Sequence, residues 1–168
     1  YISFGLRTFA ESMFNIFLPI FLLINYDFIY VLKFYLIFLI TSILCLYGLT
    51  YVVNVSTKKL LLTGSIFSFI GLSSCYYTSG SLYTSVLISV GKVFYDMGFK
   101  VDLVKFLDSK IMGFEETMIQ SVFQVIHIFG PLLGLFLISS FGFSGLFLFS
   151  SFILILSILS LFSSNNYK

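Results

Sequence analysis

Three groups of polar side chains fall at helical spacing in an otherwise apolar chain. Arg7, Glu11 and Asn15 stand at i, i+4, i+8. Ser85, Ser89, Lys92 and Asp96 stand at i, i+4, i+7, i+11, and Gln120, Gln124 and His127 at i, i+4, i+7. With 3.6 residues per turn, each group shares one face of a helix. Amides, hydroxyls and an imidazole in such rows can hold a polar solute by hydrogen bonding. Each row also has a plainer reading. Arg7–Glu11 and Lys92–Asp96 have the spacing of intrahelical salt bridges, and the glutamine row could be hydrogen-bond glue between helices. Three rows on three segments favour a shared polar cavity.

The elements that position these rows follow from composition. Of 168 residues, 59% are hydrophobic and 10% charged, with a mean hydropathy of +1.09. A soluble domain carries about a quarter charged residues, and so little charge cannot coat a surface of this size. The main solvent is therefore lipid, which excludes a soluble enzyme, a nucleic-acid binder and a secreted disulfide scaffold. A net charge of +2 implies no polyanionic partner. Cys45 and Cys75 lie far apart in apolar runs and read as small hydrophobes. No metal or other cofactor is expected.

A crossing helix needs roughly 20 apolar residues. The apolar runs give six spans, approximately 2–24, 28–53, 60–77, 82–98, 117–139 and 146–162, in a single all-α membrane domain. Lys58 and Lys59 fall between spans two and three, Lys100, Lys105 and Lys110 between four and five, and Lys168 after six. The positive-inside rule then puts both termini in the cytoplasm, in a multi-pass protein of the cell membrane. The polar stretch 99–116 reads as a cytoplasmic loop. Within it Leu103, Val104, Leu107 and Ile111 suit either a short interfacial helix or an extension of span four. The chain opens at Tyr1 rather than Met, so a fragment is expected.

The row-bearing spans are one, four and five, whereas three and six carry nothing stronger than Ser and Thr. This distribution resembles one half of a major facilitator superfamily transporter, most closely the N-terminal half. Such a half has six helices in two inverted three-helix repeats; its first and fourth helices line the cavity, the second and fifth flank it, and the third and sixth face lipid. The family motif G-x-x-x-D-[RK]-x-G-[RK]-[RK] between spans two and three is matched only in part. With its basic pair on Lys58 and Lys59, Asn54 stands at the Asp position and Thr50 at the Gly position. In the fifth span, Gly130-Pro131-Leu132-Leu133-Gly134 matches the family's G-P-x-x-G. Proline there removes a donor and kinks the helix, which makes Gly130, Pro131 and Gly134 a candidate hinge. The resemblance implies alternating access, a small-molecule substrate whose pathway is lined by Asn15, Ser89, Gln120, Gln124 and His127, and a complementary six-helix half supplied by further chain or a second chain. It also makes Glu11, Asp96 and His127 the groups able to carry a coupling proton. Arg7, Glu11, Lys92 and Asp96 are then charge pairs or coupling groups.

Two other readings have less behind them. Glu115-Glu116 and Phe123-x-x-x-His127 partly resemble motifs of CAAX-type intramembrane proteases, but Gln120 stands where Arg is required. Glu116 and His127 would also lie about 16 Å apart on one helix at 1.5 Å per residue, too far to share a metal or a water. A non-catalytic six-helix membrane subunit or assembly protein is the alternative to a transporter. No enzyme is expected.

Overall fold

The computed structural model describes residues 2–51, 56–78, 80–106 and 112–163. They form helices α1 (Ile2–Asn15), α2 (Phe17–Asn25), α3 (Phe28–Thr50), α4 (Thr57–Thr78), α5 (Leu82–Phe106) and α6 (Met112–Ser163), with no strand among the described residues. α1 and α2 are one rod with a local interruption at Ile16. Its cause is Pro19: without an N–H, proline cannot bond the carbonyl of Asn15, four residues back, and its ring crowds that carbonyl. α3 begins where the Asp27 carbonyl accepts from the amides of Tyr30 (2.9 Å) and Val31 (3.2 Å).

Four stretches are long and apolar enough to cross a membrane: Ile2–Asn25, Phe28–Thr50, Thr57–Thr78 and Thr117–Phe162. These long apolar helices point to a membrane protein. The last is 46 residues long, which at 1.5 Å per residue is about twice the thickness of a hydrocarbon core. It is not straight. Gly142, at φ 70° and ψ −175°, breaks the helical path, and left-handed φ is open to glycine because it has no Cβ. The turn expected over 141–145 is thus condensed into one residue between two arms, 112–141 and 143–163. α5 is long enough to cross, but Lys92, Asp96, Lys100 and Asp102 help make it the most charged of the long helices.

The boundaries differ from expectation chiefly around the polar stretch 99–116. Residues 99–106 continue α5 and 112–116 already belong to α6. A charged segment continues a helix readily when its polar groups project past the membrane surface. Leu107 and Ile111, half of the expected amphipathic face, lie outside the described residues.

Two seams hold the bundle. α4 meets α5 where side chains are smallest: a Cβ on Gly64 would lie 2.7 Å from the Gly91 carbonyl oxygen, and one on Gly91 would lie 2.6 Å from the Ser68 amide nitrogen. One turn on, a Cβ on Gly71 would meet Ile88 at 2.7 Å. α1 meets the first arm of α6 in the same way. Gly130 lies directly against Ser12, and a Cβ on Gly134 would lie 2.8 Å from the Met13 carbonyl oxygen. In lipid there is little hydrophobic drive between helices, so close backbone approach and dispersion supply the attraction. The core between the seams is built from Ala10, Met13, Phe14, Leu22, Phe34, Leu72, Leu146, Phe147 and Leu154. Phe21 packs between the rings of Phe143 and Phe147, at centroid distances of 5.3 and 4.9 Å. α3 is the least buried helix, with Val31 and Phe34 its buried residues and Tyr30 and Phe38 packed against the same core.

Candidate functional site

Arg7 is the most deeply committed charge. Its side chain comes from the middle of α1 and is 1% exposed. Nε donates to Glu11 Oε1 at 2.7 Å, the i, i+4 pairing expected from sequence. Nη2 donates to Ser68 Oγ of α4 at 3.0 Å and to the Gly91 carbonyl of α5 at 3.1 Å. The guanidinium plane lies against Tyr95, with Cζ 3.9 Å from the ring centroid. Gly91 permits this geometry twice over, by letting α4 and α5 approach and by leaving its carbonyl uncovered. Burying a guanidinium costs several kcal/mol unless it is paired and hydrogen-bonded. The carboxylate, the hydroxyl, the carbonyl and the ring face together meet that cost. Nη1 has no hydrogen-bond partner among the described residues.

Around Tyr95 a second polar group closes the same end of the bundle. Ser3 Oγ is 3.3 Å from the Tyr95 hydroxyl and 2.9 Å from Ser157 Oγ, and Ser157 Oγ donates to the Ser3 carbonyl at 2.9 Å. Ser3, Ser68, Tyr95 and Ser157 were not singled out from sequence. The signal for Ser68 was its place in the small-residue row Gly64, Ser68, Gly71; Ser3, Tyr95 and Ser157 had none, because hydroxyls in apolar helices usually bond their own backbone.

The α5 row divides. Ser85 Oγ donates to the carbonyl of Leu82 at 2.7 Å within its own helix. Ser89 is fully buried, 2.8 Å from Ser42 Oγ of α3, and donates to the Phe38 carbonyl at 2.9 Å. It therefore joins α3 to α5. Lys92 and Asp96 are half-buried and form no ion pair with each other. Asp96 instead lines a crevice of about 500 Å³ together with Phe4, Phe99, Lys100, Phe123 and, on the facing wall, Gln120.

Asn15, Gln124 and His127 are exposed and make no hydrogen bond with another described residue. The carbonyl of His127 also lacks its helical donor, because Pro131 stands four residues later. The α6 row thus offers two amides, an imidazole and a free backbone acceptor on one face of an apolar helix. Of the candidate hinge, Gly130 and Gly134 are buried in the α1 seam and Pro131 is half-buried. Lys58 is half-buried and Lys59 exposed at the start of α4, and Asn54 lies outside the described residues.

The structure therefore brings Arg7 and Glu11 together with α4 and α5, and sets Asp96 across from Gln120. It keeps Ser89 apart from both and leaves Asn15, Gln124 and His127 on the surface. Among the described residues no group of His, Cys, Asp and Glu has the arrangement of a metal site. Comparison with family models, with curated proteins and with solved structures gives no match.

Proposed function

We propose that the chain is one half of a secondary transporter of the major facilitator type, moving a small polar solute by alternating access against a complementary half. The observation that carries this reading is the unpartnered face of Gln120, Gln124 and His127 on the first arm of α6. Amides and an imidazole facing hydrocarbon would each forfeit their hydrogen bonds with water. A polar cavity shared with a second half removes that penalty and gives the side chains a solute to bind.

The packing is consistent with this. Counting α1 with α2 as the first rod and the arms of α6 as the fifth and sixth gives six crossings. Inverted three-helix repeats would exchange first with fourth, second with fifth and third with sixth. Under that exchange the contact of α1 with the first arm (Ser12 at Gly130) becomes that of α5 with α3 (Ser89 at Ser42). The contact of α1 with the second arm (Ser3 at Ser157) becomes that of α5 with α4 (Gly91 at Ser68). The Arg7 cluster then sits where the two cavity-lining rods meet, as a fixed point about which the flanking rods can rock. The partners of the chain are the bilayer, the solute and the second half.

The test is uptake. Cells making the protein with its complementary half should accumulate or expel a solute that control cells do not, and Gln124→Ala or His127→Ala should abolish the difference at unchanged membrane levels. Transport left intact by both would remove the α6 face from the pathway. A protein that moves no solute but is needed to assemble a membrane complex would instead be a structural subunit.

A further inference from the structure

Lys92 is half-buried on α5 and makes no hydrogen bond or ion pair with another described residue. It stands four residues before Asp96 and seven before Phe99, both of which line the crevice. It therefore shares their face of the helix, one to two turns deeper. The facing wall continues in the same way: Gln124 and His127 follow Gln120 of the crevice by four and seven residues on the first arm of α6. The contacts of α1 set the two walls in register. Phe4 meets both Phe99 and Phe123; farther along, Arg7 reaches the carbonyl of Gly91 and Ser12 that of Ile126. Lys92 thus lies level with Gln124 and His127.

That level is inside the hydrocarbon. From Leu82 to Lys92 is about 15 Å at 1.5 Å per residue, half of a core about 30 Å thick. Ser68, against which Gly91 packs, is central in α4 as well. A headgroup phosphate stays in the interfacial layer, so the anion that can meet Lys92 is a free solute. The charges around it do not cancel. Arg7 is held by Glu11 at 2.7 Å, and Asp96 stands four residues from both Lys92 and Lys100. Three cations against two carboxylates leave one positive charge. An unpaired ammonium in hydrocarbon is costly unless something negative meets it.

We propose that the solute of the pathway is a small monocarboxylate. One of its oxygens takes the ammonium of Lys92, and the other takes the amide of Gln124 or the imidazole N–H of His127, in charge-assisted hydrogen bonds. A single unmatched positive charge is neutralised by a single negative one, so a dianion would carry an uncompensated charge into the core. A cationic solute would be repelled by Lys92. The proposal deepens the transporter reading and rests on it, because the exposed α6 face supplies two of the three donors.

Thiol reagents of opposite charge test it without a known substrate. Gln124→Cys is placed in the full chain carrying Cys45→Ser and Cys75→Ala, in phosphatidylcholine vesicles. It is labelled with sulfonatoethyl or trimethylammonioethyl methanethiosulfonate, and each rate is divided by that of free 2-mercaptoethanol. The normalised anion-to-cation ratio should be about ten, or ~1.4 kcal/mol, a modest effect for one nearby charge. Lys92→Gln should bring the ratio to one or below, Asp96→Asn should raise it, and Lys33→Gln, on α3, should leave it unchanged. A misfolded variant would not give opposite shifts. Lactate should slow the labelling more than sulfate does, and ethylammonium should not slow it. A ratio near one, or a high ratio that survives Lys92→Gln, would overturn the proposal while leaving a water-lined α6 face and the transporter reading intact. No labelling by either reagent would overturn both. Labelling slowed by phosphatidylglycerol in the vesicles and by no soluble anion would also overturn the proposal, since the occupant would then be a lipid.

Discussion

Arg7 lies against the face of Tyr95, 3.9 Å from Cζ to ring centroid, while its Nε holds Glu11 at 2.7 Å. One guanidinium therefore joins α1 to α5, and through Ser68 to α4. Its removal should be felt as loss of fold. Arg7→Leu should cost about 3–5 kcal/mol, because Glu11 stays in place without its partner. The pair Arg7→Leu with Glu11→Gln should recover a substantial part. Arg7→Lys should keep the charge and lose the fork and the ring contact, a cost of about 1–2 kcal/mol. Denaturant unfolding in micelles orders the variants; a double variant no more stable than Arg7→Leu alone would show that the carboxylate is not the reason.

The α4–α5 seam should respond to one carbon. Gly91→Ala places a Cβ against Ser68 and 2.9 Å from the Gly64 carbonyl, and overpacking of this kind costs about 1–3 kcal/mol. Gly48→Ala, on α3 with nothing within 4 Å of the added carbon, should instead gain about 0.5–1 kcal/mol by lowering backbone freedom. Thermal unfolding of the two variants side by side gives the signs.

The contrast between these glycines marks what the sequence could and could not tell. Helix existence was legible, because runs such as 28–50 have no other stable state in lipid. The Arg7–Glu11 pair was legible because both partners lie on one helix. Lys92–Asp96 has the same spacing and does not pair, since Asp96 turns toward the crevice beside Phe99. Seams were not legible. Helices apolar all round give no moment by which to choose a buried face, so Gly64, Ser68 and Gly91 became informative only once their neighbours were known. Ser89 shows the same limit: its row suggested an open pathway, while its hydroxyl bridges to Ser42.

Ser42 and Ser89 should be coupled in stability. In a double-mutant cycle with Ser42→Ala and Ser89→Ala, the interaction term should be about 0.6 kcal/mol, the usual worth of an interhelical hydrogen bond in a membrane protein. Simple additivity in unfolding free energy would mean the 2.8 Å contact contributes nothing.

Gly142 should be intolerant of any side chain despite having open space around it. A Cβ there meets nothing within 4 Å, but φ is +70°, so Gly142→Ala should cost about 1–2 kcal/mol from backbone strain alone. Gly113→Ala, equally uncrowded and without positive φ, is the control. Equal stability of the two variants would mean the arms of α6 can join without a left-handed residue.

The central claim is that the Gln120, Gln124 and His127 face of α6 borders water inside the membrane. Thiol labelling tests it most directly, in the intact protein with Cys45→Ser and Cys75→Ala. Gln124→Cys and His127→Cys should react with a membrane-impermeant maleimide. Val122→Cys and Phe129→Cys, exposed on the opposite side of the same helix, should stay unlabelled in lipid. Labelling confined to the polar face is the expected result, and protection of both faces, or equal labelling of both, would contradict the account.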